Sequence, residues 1–407
     1  MDEIAAATPQ MLRGLVRAAA ALPYFAKKYR DLALTEDFDF TDVPEMTRED
    51  VTAASAEAAL LPRTASAYLF TSGGSTAEPK VAWIPTEMHL GELTRHWQPL
   101  GCDDVLANLA TPGRLWSAHY CYNRLAELAG ADVIGLGHIP DGEYGQWLDF
   151  LDRHRTTALA GTPSQLLRVL EYCEQYAHPL VRRLRTGIFF GESCDARLPP
   201  LRDRVAPDFG LWGHYGSTET WVIGHNGPRC APDTFHLLPY QHVGLAGRSV
   251  LVTTLHPGAV TPVIRYRIGD LAQWARCACG RDDSALRILG REGALVKFAG
   301  TLVSPRDLVE IAKNAPGVHA AQVALRGTGG IADELEVRIV ADGTDGKKSP
   351  WRSNLMREHI LASQIDLRFA LRGDDEAFRV RQVPALTVNA RTGKTPEFFW
   401  MVGDGRA

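Results

Sequence analysis

The sequence predicts an α/β protein built as two domains. Short β-like runs alternate with amphipathic helical stretches, which is typical of parallel sheets with covering helices. From about residue 244 the sequence becomes rich in turns and β-like runs. After residue 290, helix and strand patterns alternate within a short stretch. A chain of 407 residues exceeds what one hydrophobic core normally supports. We therefore expect a large N-terminal domain at 1–291 with a small β-rich subdomain, followed by a small mobile α+β C-terminal lid domain at 292–407.

The elements of the N-terminal half follow from hydrophobic periodicity. Leu12, Leu15, Val16 and Ala19 recur at helical spacing before Pro23 interrupts the pattern. The residues from 164 to 175 mix leucines and valine with polar residues, as expected of a helix that covers a sheet. Strands of the parallel sheet are predicted at 67–71, 132–136, 157–160 and 187–190.

The later elements are of a different kind. Strands at 249–253 and 263–266 predict a second sheet or a small barrel. The C-terminal domain is predicted to contain a helix at 305–314 and strands at 319–325 and 334–340.

Composition and charge exclude several classes of function. With 44 basic and 48 acidic residues the formal net charge is -4, and no long basic run provides a surface for nucleic acid. No apolar run is long enough to span a bilayer, and the N-terminal segment lacks the pattern of a secretory signal. Seven dispersed cysteines favour reduced thiols or metal ligation over a disulfide framework. We expect a cytoplasmic protein that has neither nucleic acid nor a membrane as a partner.

A glycine- and hydroxyl-rich segment follows the predicted strand at 67–71. Backbone N–H groups and hydroxyls of such a loop can converge on a polyphosphate, and glycine permits close backbone approach. The pattern of a P-loop, GxxxxGK[ST], is absent, because Lys80 follows Pro79 and precedes Val81. A flexible surface loop is the alternative. The candidate phosphate-binding residues are Thr71, Ser72, Gly73, Gly74, Ser75, Thr76 and Lys80.

Five further motifs follow in a fixed order. They are Gly191-Glu192, Tyr215-Gly-Ser-Thr-Glu219, Arg265-Tyr-Arg-Ile-Gly-Asp270, Gly290-Arg291 and Arg391-Thr-Gly-Lys394. This order, from about residue 20 to 400, resembles the adenylate-forming superfamily of acyl-CoA synthetases and adenylation domains. Within it the chain resembles phenylacetate-CoA ligase-type proteins, which share the segments TSGGST, TALAGTPSQLL, PVIRYRIGD and CACGR. Each motif is weak alone, but together they are specific.

The resemblance implies roles in nucleotide binding. Tyr215 would stack on adenine, and Gly216 would keep the backbone beside Ser217 close to the nucleotide. Thr218 would bond the α-phosphate, and Glu219 would hold Mg²⁺ on the phosphates of ATP. As alternatives, Glu219 is a solvated acid, Asp270 caps a turn and Arg291 forms a surface ion pair. Under the resemblance Asp270 accepts from the ribose hydroxyls and Arg291 reaches ribose or phosphate, with Gly191 and Glu192 in the same nucleotide site.

Lys394 is the candidate catalytic cation. Attack of a carboxylate on the α-phosphate brings two anions together, and a lysine between them lowers the barrier electrostatically. The alternative is an exposed lysine in a turn. With Glu219 and Thr218, Lys394 completes the catalytic set that the resemblance implies.

Two positions depart from the family pattern. Ala77 replaces a usual glycine in the phosphate loop, which restricts the backbone there. Gly293 replaces an acidic residue at the position that resembles the hinge of the mobile domain, and glycine is compatible with a hinge.

Four residues form a candidate zinc site. Cys230, His236, Cys277 and Cys279 supply three thiolates and one imidazole, a closed tetrahedral set of structural type. The family likeness points the same way, because some phenylacetate-CoA ligase-like proteins carry a Cys/His site in this region. Buried thiols and an unrelated histidine are the alternative, since the sequence does not show that the pairs meet.

The resemblance also places an acyl pocket. Its aromatic and imidazole walls suit a small aryl or heteroaryl acid better than a long alkyl chain. Trp116 and Tyr120 are equally explained as core residues, and His119 as an internally hydrogen-bonded histidine. The candidate substrate-binding residues are Trp116, His119, Tyr120, Gly161 and His214.

Taken together, these motifs predict an AMP-forming acid-thiol ligase. A small, aromatic carboxylic acid and ATP would give acyl-AMP and pyrophosphate, and a thiol, CoA in the leading interpretation, would displace AMP. A stand-alone adenylating enzyme that serves a carrier-protein thiol or an amine is one alternative, and a catalytically silent nucleotide-binding protein is another. The family analogy allows a homodimer.

Overall fold

The chain is described from a computed structural model and divides into two compact units. One unit comprises Met1–Glu292 and Arg391–Gly393, and the other comprises Gly293–Ala390 and Lys394–Ala407. The structure describes residues 7–35, 37–60, 65–71, 81–113, 115–140, 142–256, 258–292, 296–299, 301–328, 331–341, 353–364, 367–368, 371, 376–389 and 393–401. Within these ranges no helix combines the length and the apolar character that a bilayer crossing requires.

The first unit contains eight α-helices and thirteen strands among its described residues. The helices are α1 Pro9–Ala19, α2 Pro23–Lys28, α3 Arg48–Leu60, α4 Leu90–His96, α5 Ala118–Ala129, α6 Tyr144–Arg153, α7 Pro163–Gln175 and α8 Leu198–Val205. The strands are β1 Ala67–Thr71, β2 Val81–Pro85, β3 Val105–Asn108, β4 Asp132–Ile134, β5 Ala158–Gly161, β6 Thr186–Phe189, β7 Gly210–Ser217, β8 Trp221–His225, β9 Thr234–Leu237, β10 Gln241–Ala246, β11 Ser249–Thr254, β12 Tyr266–Ala275 and β13 Ala285–Arg291. Short 3₁₀ turns lie at Phe40–Asp42 and Pro179–Arg182.

Eleven of these strands form one continuous sheet. Its order is β10-β11-β12-β13-β9-β8-β7-β6-β5-β3-β4. The strands from β4 to β7 pair in parallel, and those from β7 to β10 pair antiparallel. The α/β class is thus confirmed. The sequence suggested a second sheet or a small barrel for the β-rich segment. Its strands do not form a separate sheet, because β7 pairs with β6 on one edge and with β8 on the other, which makes the sheet continuous.

Helices cover both faces of the parallel half. β5 and β6 are buried along their whole length, as expected of strands covered on two sides. Leu159 and Phe189 belong to a core with leucines of α6, α7 and α8. Ala160 and Ile188 face the other way, into a core with α4 and α5. Helix α7 begins in a capping box, in which Thr162 and Gln165 satisfy each other's backbone N–H groups.

Two sequence-based assignments need correction. The strand at 67–71 exists but pairs antiparallel with β2 in a separate two-stranded sheet, rather than joining the parallel sheet. The strand predicted at 263–266 begins only at Tyr266. Val263 and Ile264 are fully buried as core residues, so their apolar character reflects burial and not strand pairing.

The second unit is an α+β fold with its own core. Its described elements are β14 Val296–Phe298, β15 Thr301–Val303, α9 Pro305–Lys313, β16 Val318–Thr328, β17 Ile331–Ala341, α10 Ser353–Ser363, β18 Phe378–Gln382 and β19 Phe398–Trp400. The strands form a six-stranded sheet in the order β15-β14-β17-β16-β19, with β18 paired to β17. Side chains of α9 and α10, among them Leu308 and Ile360, pack with Val323 and Val337 of the sheet.

Candidate active site

The candidate nucleotide residues cluster at the carboxyl end of β7, where the sheet changes from parallel to antiparallel. His214, Tyr215, Gly216 and Ser217 end this strand, and Thr218 and Glu219 lie in the turn that leads into β8. Crevices beyond the carboxyl ends of parallel strands are the usual ligand sites of open α/β sheets. The fold therefore brings this motif to an edge suited to a ligand.

Tyr215, Asp270 and Arg291 form one contact set. The Tyr215 hydroxyl donates to Asp270 Oδ2 over 2.8 Å, and Arg291 Nε lies 3.1 Å from Asp270 Oδ1. Asp270 and Arg291 face each other directly in the pairing of β12 with β13. Burial, followed by the charge of Asp270, raises the pKa of Tyr215, so its hydroxyl stays protonated and acts as a donor. Three residues from three motifs thus meet around one carboxylate.

A second buried pair joins Glu219 to Tyr266. The Tyr266 hydroxyl donates to Glu219 Oε1 over 2.6 Å, and both residues are buried. Burial, together with the Glu219 carboxylate, raises the pKa of Tyr266. Glu219 is consequently a positioned carboxylate and not a solvated surface acid.

Close packing against the facing strand explains why position 216 is a glycine. A Cβ on Gly216 would lie 2.3 Å from the Trp221 carbonyl oxygen on the facing strand, at the point where the register of β7 and β8 shifts. The adjacent turn is held by Ser217, whose hydroxyl accepts from the Thr220 N–H over 3.2 Å and lies 2.9 Å from the Thr220 hydroxyl. Thr218 is half-buried in this turn.

Gly191 and Glu192 follow β6 at the neighbouring strand end. Gly191 has a positive φ of 80°, which glycine adopts without strain. Glu192 accepts from the Ser164 N–H over 2.8 Å and from the Ser164 hydroxyl, at the first turn of α7. Glu192 thereby joins the loop after β6 to the start of a helix.

Most of the predicted phosphate loop lies outside the described residues. Thr71 ends β1, is buried, and donates its N–H to the Leu115 carbonyl over 2.8 Å. Outside the described ranges are Ser72, Gly73, Gly74, Ser75, Thr76, Ala77 and Lys80, as well as Gly293.

The predicted substrate residues Trp116 and His214 belong to one aromatic cluster. The Phe190 ring lies 6.2 Å from the Trp116 ring and stacks on Tyr122 at 4.3 Å. The Tyr122 hydroxyl hydrogen-bonds His214 Nδ1 over 2.5 Å, and the His214 ring stacks 6.0 Å from Phe190. Complete burial raises the pKa of Tyr122, so the phenol is the donor in this bond. The cluster ends at the same strand end as Tyr215.

His119 and Tyr120 make other contacts. His119 Nδ1 is 2.7 Å from the Ala110 carbonyl oxygen and its Nε2 is 3.1 Å from Asn123 Nδ2. These contacts assign the proton to Nδ1 and make His119 an internally hydrogen-bonded histidine, as the alternative interpretation held. Tyr120 is 40% exposed and packs against Tyr68 and Phe70.

Gly161 ends β5 beside the side-chain amide of Gln165, a residue of α7. A Cβ there would lie 3.1 Å from Gln165 Oε1 and 3.3 Å from Leu109 Cδ1. Gln165 in turn donates to the Leu109 carbonyl over 3.0 Å. This glycine therefore leaves space for a buried amide.

The four predicted metal ligands are close together. One ligand atom from each of Cys230, His236, Cys277 and Cys279 lies within 4.8 Å of the others. His236 Nδ1 lies 2.9 Å from Asp283 Oδ1, which leaves Nε2 toward the thiols, 3.2 Å from Cys279 Sγ. A histidine held by a carboxylate through its other nitrogen is the usual arrangement at zinc. All seven cysteines lie in the described part of the chain and are free thiols.

Lys394 belongs to the second unit. It lies four residues before β19, and its carbonyl accepts from the Asn389 N–H over 2.8 Å. This unit carries the predicted catalytic lysine on an irregular segment that ends at the edge of its sheet.

Several contacting residues are missing from the sequence-based site. Tyr266, Phe190 and Tyr122 touch predicted residues, and Asp283 and Ser164 hold His236 and Glu192. Tyr266 lies inside the recognised motif at 265–270 and Phe190 directly precedes Gly191, so position in the sequence is a usable signal for both. Ser164 and Tyr122 come from α7 and α5, and only the packing of helices against the sheet reveals their contacts.

Comparisons with known proteins agree with this architecture. The AMP-binding enzyme family matches residues 17–256, more than half of the chain. Indoleacetate–lysine synthetase of Pseudomonas savastanoi is 23% identical over 278 residues, 68% of this chain and 62% of that protein. The L-proline–[L-prolyl-carrier protein] ligase of Streptomyces coelicolor is 27% identical over 310 residues, 66% of this chain and 55% of that protein. The chain thus spans less than two thirds of the length of these relatives.

Solved structures share the fold at low sequence identity. A 2-hydroxyisobutyryl-CoA ligase in the postadenylation state, in complex with 2-HIB-AMP, has a TM-score of 0.67 at 17% identity, covering 97% of this chain and 88% of that one. ATP-bound MatB from Rhodopseudomonas palustris has a TM-score of 0.53 at 18% identity, covering 80% of this chain and 66% of that one. On the extent of the family match and the shared fold, the chain belongs to the AMP-binding enzyme family, within the adenylate-forming superfamily that its motifs resemble.

Proposed function

We propose that this protein is an AMP-forming acid-thiol ligase. The observation that carries the proposal is the contact set of Tyr215, Asp270 and Arg291, beside the buried pair of Glu219 and Tyr266. A silent protein that merely kept the fold would have no need to hold two buried carboxylates at one strand end, because a buried charge is costly without partners.

Each side chain has a role that its chemistry allows. Asp270 accepts the ribose hydroxyls, with Arg291 beside it to contact ribose or phosphate. Tyr215 contributes a ring face to adenine. Glu219 offers the hard oxygen donors that Mg²⁺ prefers, and Tyr266 fixes the carboxylate that would hold the metal. Lys394 supplies positive charge to the reacting centre, and Thr218 a hydroxyl for the α-phosphate.

The reaction proceeds in two displacements. A carboxylate oxygen of the acid attacks the α-phosphorus of ATP, and the bond from that phosphorus to the bridging β-phosphate oxygen breaks, releasing pyrophosphate. A thiolate then attacks the acyl carbon of the mixed anhydride, and AMP leaves with the electron pair of the broken C–O bond. Mg²⁺ held by Glu219 would supply positive charge that neutralises the phosphates of ATP.

The acyl acceptor is proposed by analogy with similar proteins. The two sequence relatives are named for lysine and for a prolyl-carrier protein, and a protein that shares the fold is named as a CoA ligase. We propose a thiol and, first among thiols, CoA, with delivery to a carrier protein or an amine as the alternative. A cytoplasmic location and a homodimer belong to the same proposal.

The acid is proposed to be small and aromatic, in the manner of phenylacetate-CoA ligase-like proteins. The cluster of Trp116, Phe190, Tyr122 and His214 supports this, because planar rings provide flat contact area for another ring. The Tyr122–His214 hydrogen bond adds a polar group to an otherwise apolar wall.

The Cys/His set is proposed to bind a structural zinc ion. Three thiols, one imidazole and the Asp283 carboxylate behind the imidazole fit that metal, and four protein ligands leave no open position for catalysis. These residues lie on the loop before β9, on β9 itself and on the loop between β12 and β13. Zinc would therefore tie together strands of the antiparallel half.

The decisive experiment is acid-dependent exchange of labelled pyrophosphate into ATP, run with a panel of aryl, heteroaryl and short alkyl acids. We expect exchange that requires Mg²⁺ and is fastest with an aryl acid. CoA, a carrier protein and lysine are then compared as acceptors with the selected acid. No exchange with any acid, while ATP still binds, would support the silent alternative.

A further inference from the structure

The second unit contains a fully buried glutamine whose amide joins two separate parts of the chain. Gln322 lies on β16 with no exposed surface. Its Nε2 donates to the Thr387 carbonyl over 2.9 Å and to the Pro396 carbonyl over 2.7 Å, and its Oε1 accepts from the Thr387 N–H over 3.0 Å. All of these partners are backbone groups, so the contact fixes the path of the chain and not a particular side chain.

The two contact points bracket the candidate catalytic lysine. Thr387 lies seven residues before Lys394, and Pro396 lies two residues after it. The Thr387 hydroxyl also accepts over 2.8 Å from Nη1 of Arg338, which lies on the neighbouring strand β17. Beyond Pro396, Val323 donates its N–H to the Glu397 carbonyl over 2.9 Å, where β19 joins the sheet. Both ends of the segment are therefore tied to adjacent residues of one strand.

We propose that Gln322 is a positioning residue for Lys394 in acyl-AMP formation. The inference rests on the proposed function, in which Lys394 stabilises charge at the α-phosphate. A lysine on an irregular segment is useful only if its backbone is held, because a misplacement of about 1 Å at a reacting centre can cost on the order of 100-fold in rate. One buried amide holds the backbone of both Thr387 and Pro396, and Pro396 is two residues from Lys394.

A purely structural role makes a different prediction. If Gln322 only stabilised the second unit, its loss would lower the stability of that unit and affect both half-reactions alike. As a positioning residue, it affects the step that uses Lys394 and spares acyl transfer to the thiol. The ratio of the two rates therefore separates the two roles.

The test uses Gln322→Met in the full chain, since methionine has a similar length but no hydrogen-bonding amide. Acyl-AMP formation is followed by pyrophosphate exchange, and acyl transfer is followed from chemically synthesised acyl-adenylate of the selected acid to CoA. We expect exchange to fall about 10- to 100-fold while transfer changes less than about twofold. Gln322→Asn, which keeps the amide on a shorter stem, should fall between the wild type and the methionine variant, and it replaces that variant if the latter does not fold.

Val337→Ala is the matched control, because Val337 is fully buried in the core of the same sheet and contacts neither Thr387 nor Pro396 in the described hydrogen bonds. It should lower thermal stability and leave the ratio of the two rates unchanged. Equal losses in both half-reactions for Gln322→Met, or no loss in exchange, would overturn the inference. If wild-type protein shows no exchange, the proposed function itself fails. If Lys394→Ala abolishes exchange but Gln322→Met does not, only the inference fails.

Discussion

Tyr215 and Asp270, which are 55 positions apart in sequence, share a buried hydrogen bond of 2.8 Å between β7 and β12. The two strands are not neighbours in the sheet, because β13, β9 and β8 lie between them in the strand order. Strands separated by three others can come within hydrogen-bonding distance only if the sheet is strongly curved. The curvature of the antiparallel half therefore brings β12 close to β7. A tyrosine expected to offer its ring to adenine thus also orients the carboxylate expected to bind ribose.

Tyr215→Phe should weaken ATP binding and leave the fold intact. The substitution keeps the ring but removes the donor to Asp270, and a hydrogen bond to a charged group contributes about 1.5–3 kcal/mol. We expect the KM for ATP in pyrophosphate exchange to rise roughly 10-fold, with a smaller change in the KM for the acid. Tyr176→Phe, at an exposed tyrosine of the same unit, is the control. An unchanged KM for ATP would mean that Asp270 does not need this contact.

Lys394→Ala should separate the two half-reactions. Removal of the cation is expected to slow acyl-AMP formation by at least about 100-fold, as loss of a charge-stabilising group at a reacting centre does. Transfer from supplied acyl-adenylate to CoA should persist. Lys313→Ala is the control, because Lys313 lies on α9 of the same unit, where it pairs with Glu310. Normal exchange by Lys394→Ala would remove the lysine from the mechanism.

The zinc proposal predicts one metal ion per chain, measured by elemental analysis. Strong chelation should lower the melting temperature, because the four ligands come from three separate segments, before β9, on β9 and between β12 and β13, which the metal would hold together. Asp283→Asn should weaken metal affinity about 10- to 100-fold, since it loosens the support of His236. Cys102→Ser, at an exposed cysteine outside the set, should retain full metal content. Metal-free protein with unchanged stability would refute the site.

Stability should fall in mild acid because of His89. Burial, followed by the charge of His256, lowers the pKa of His89 from 6.5 to about 3. Its ring is 3.6 Å from that of His256 and packs on Tyr240, while the carboxylate of Glu87, 3.2 Å from Nδ1, is largely exposed and screened. The unfolded chain therefore binds a proton at His89 that the folded chain does not bind. The stability that this difference contributes is complete above pH 6.5 and is lost as pH falls toward 3.

His89→Asn should reduce this loss, since asparagine tolerates the left-handed backbone at this position, where φ is 52°. A single such histidine contributes a slope of about 1.4 kcal/mol per pH unit. Urea unfolding at pH 7, 6 and 5 measures the slope, with His96→Asn, at an exposed histidine on α4, as the control. Equal slopes in wild type and His89→Asn would show that other groups control acid stability.

Local pattern was enough to predict the elements that depend on local chemistry. Helix α7, the helix near 305–314 and the long strands near 319–325 and 334–340 were all expected, because periodicity and capping residues act within a few positions. The strand at 67–71 was found correctly, but its partner was not, since pairing depends on what else competes for its edge. The apolar residues Val263 and Ile264 favour a strand in the sequence, although burial alone explains their apolar character.

Chemistry that is carried by residue type was likewise readable from the sequence. The residues Cys230, His236, Cys277 and Cys279 predict a set of candidate metal ligands, and the structure brings their ligand atoms within 4.8 Å of one another. The order of the motifs likewise predicts the family, because it follows from which side chains are present. Tertiary structure alone decided which of those side chains meet: Tyr266 with Glu219, Tyr215 with Asp270, and Gln322 with the segment of Lys394. Such contacts join residues far apart in the chain, and their formation depends on sheet order and burial, which are properties of the whole fold rather than of any stretch of it.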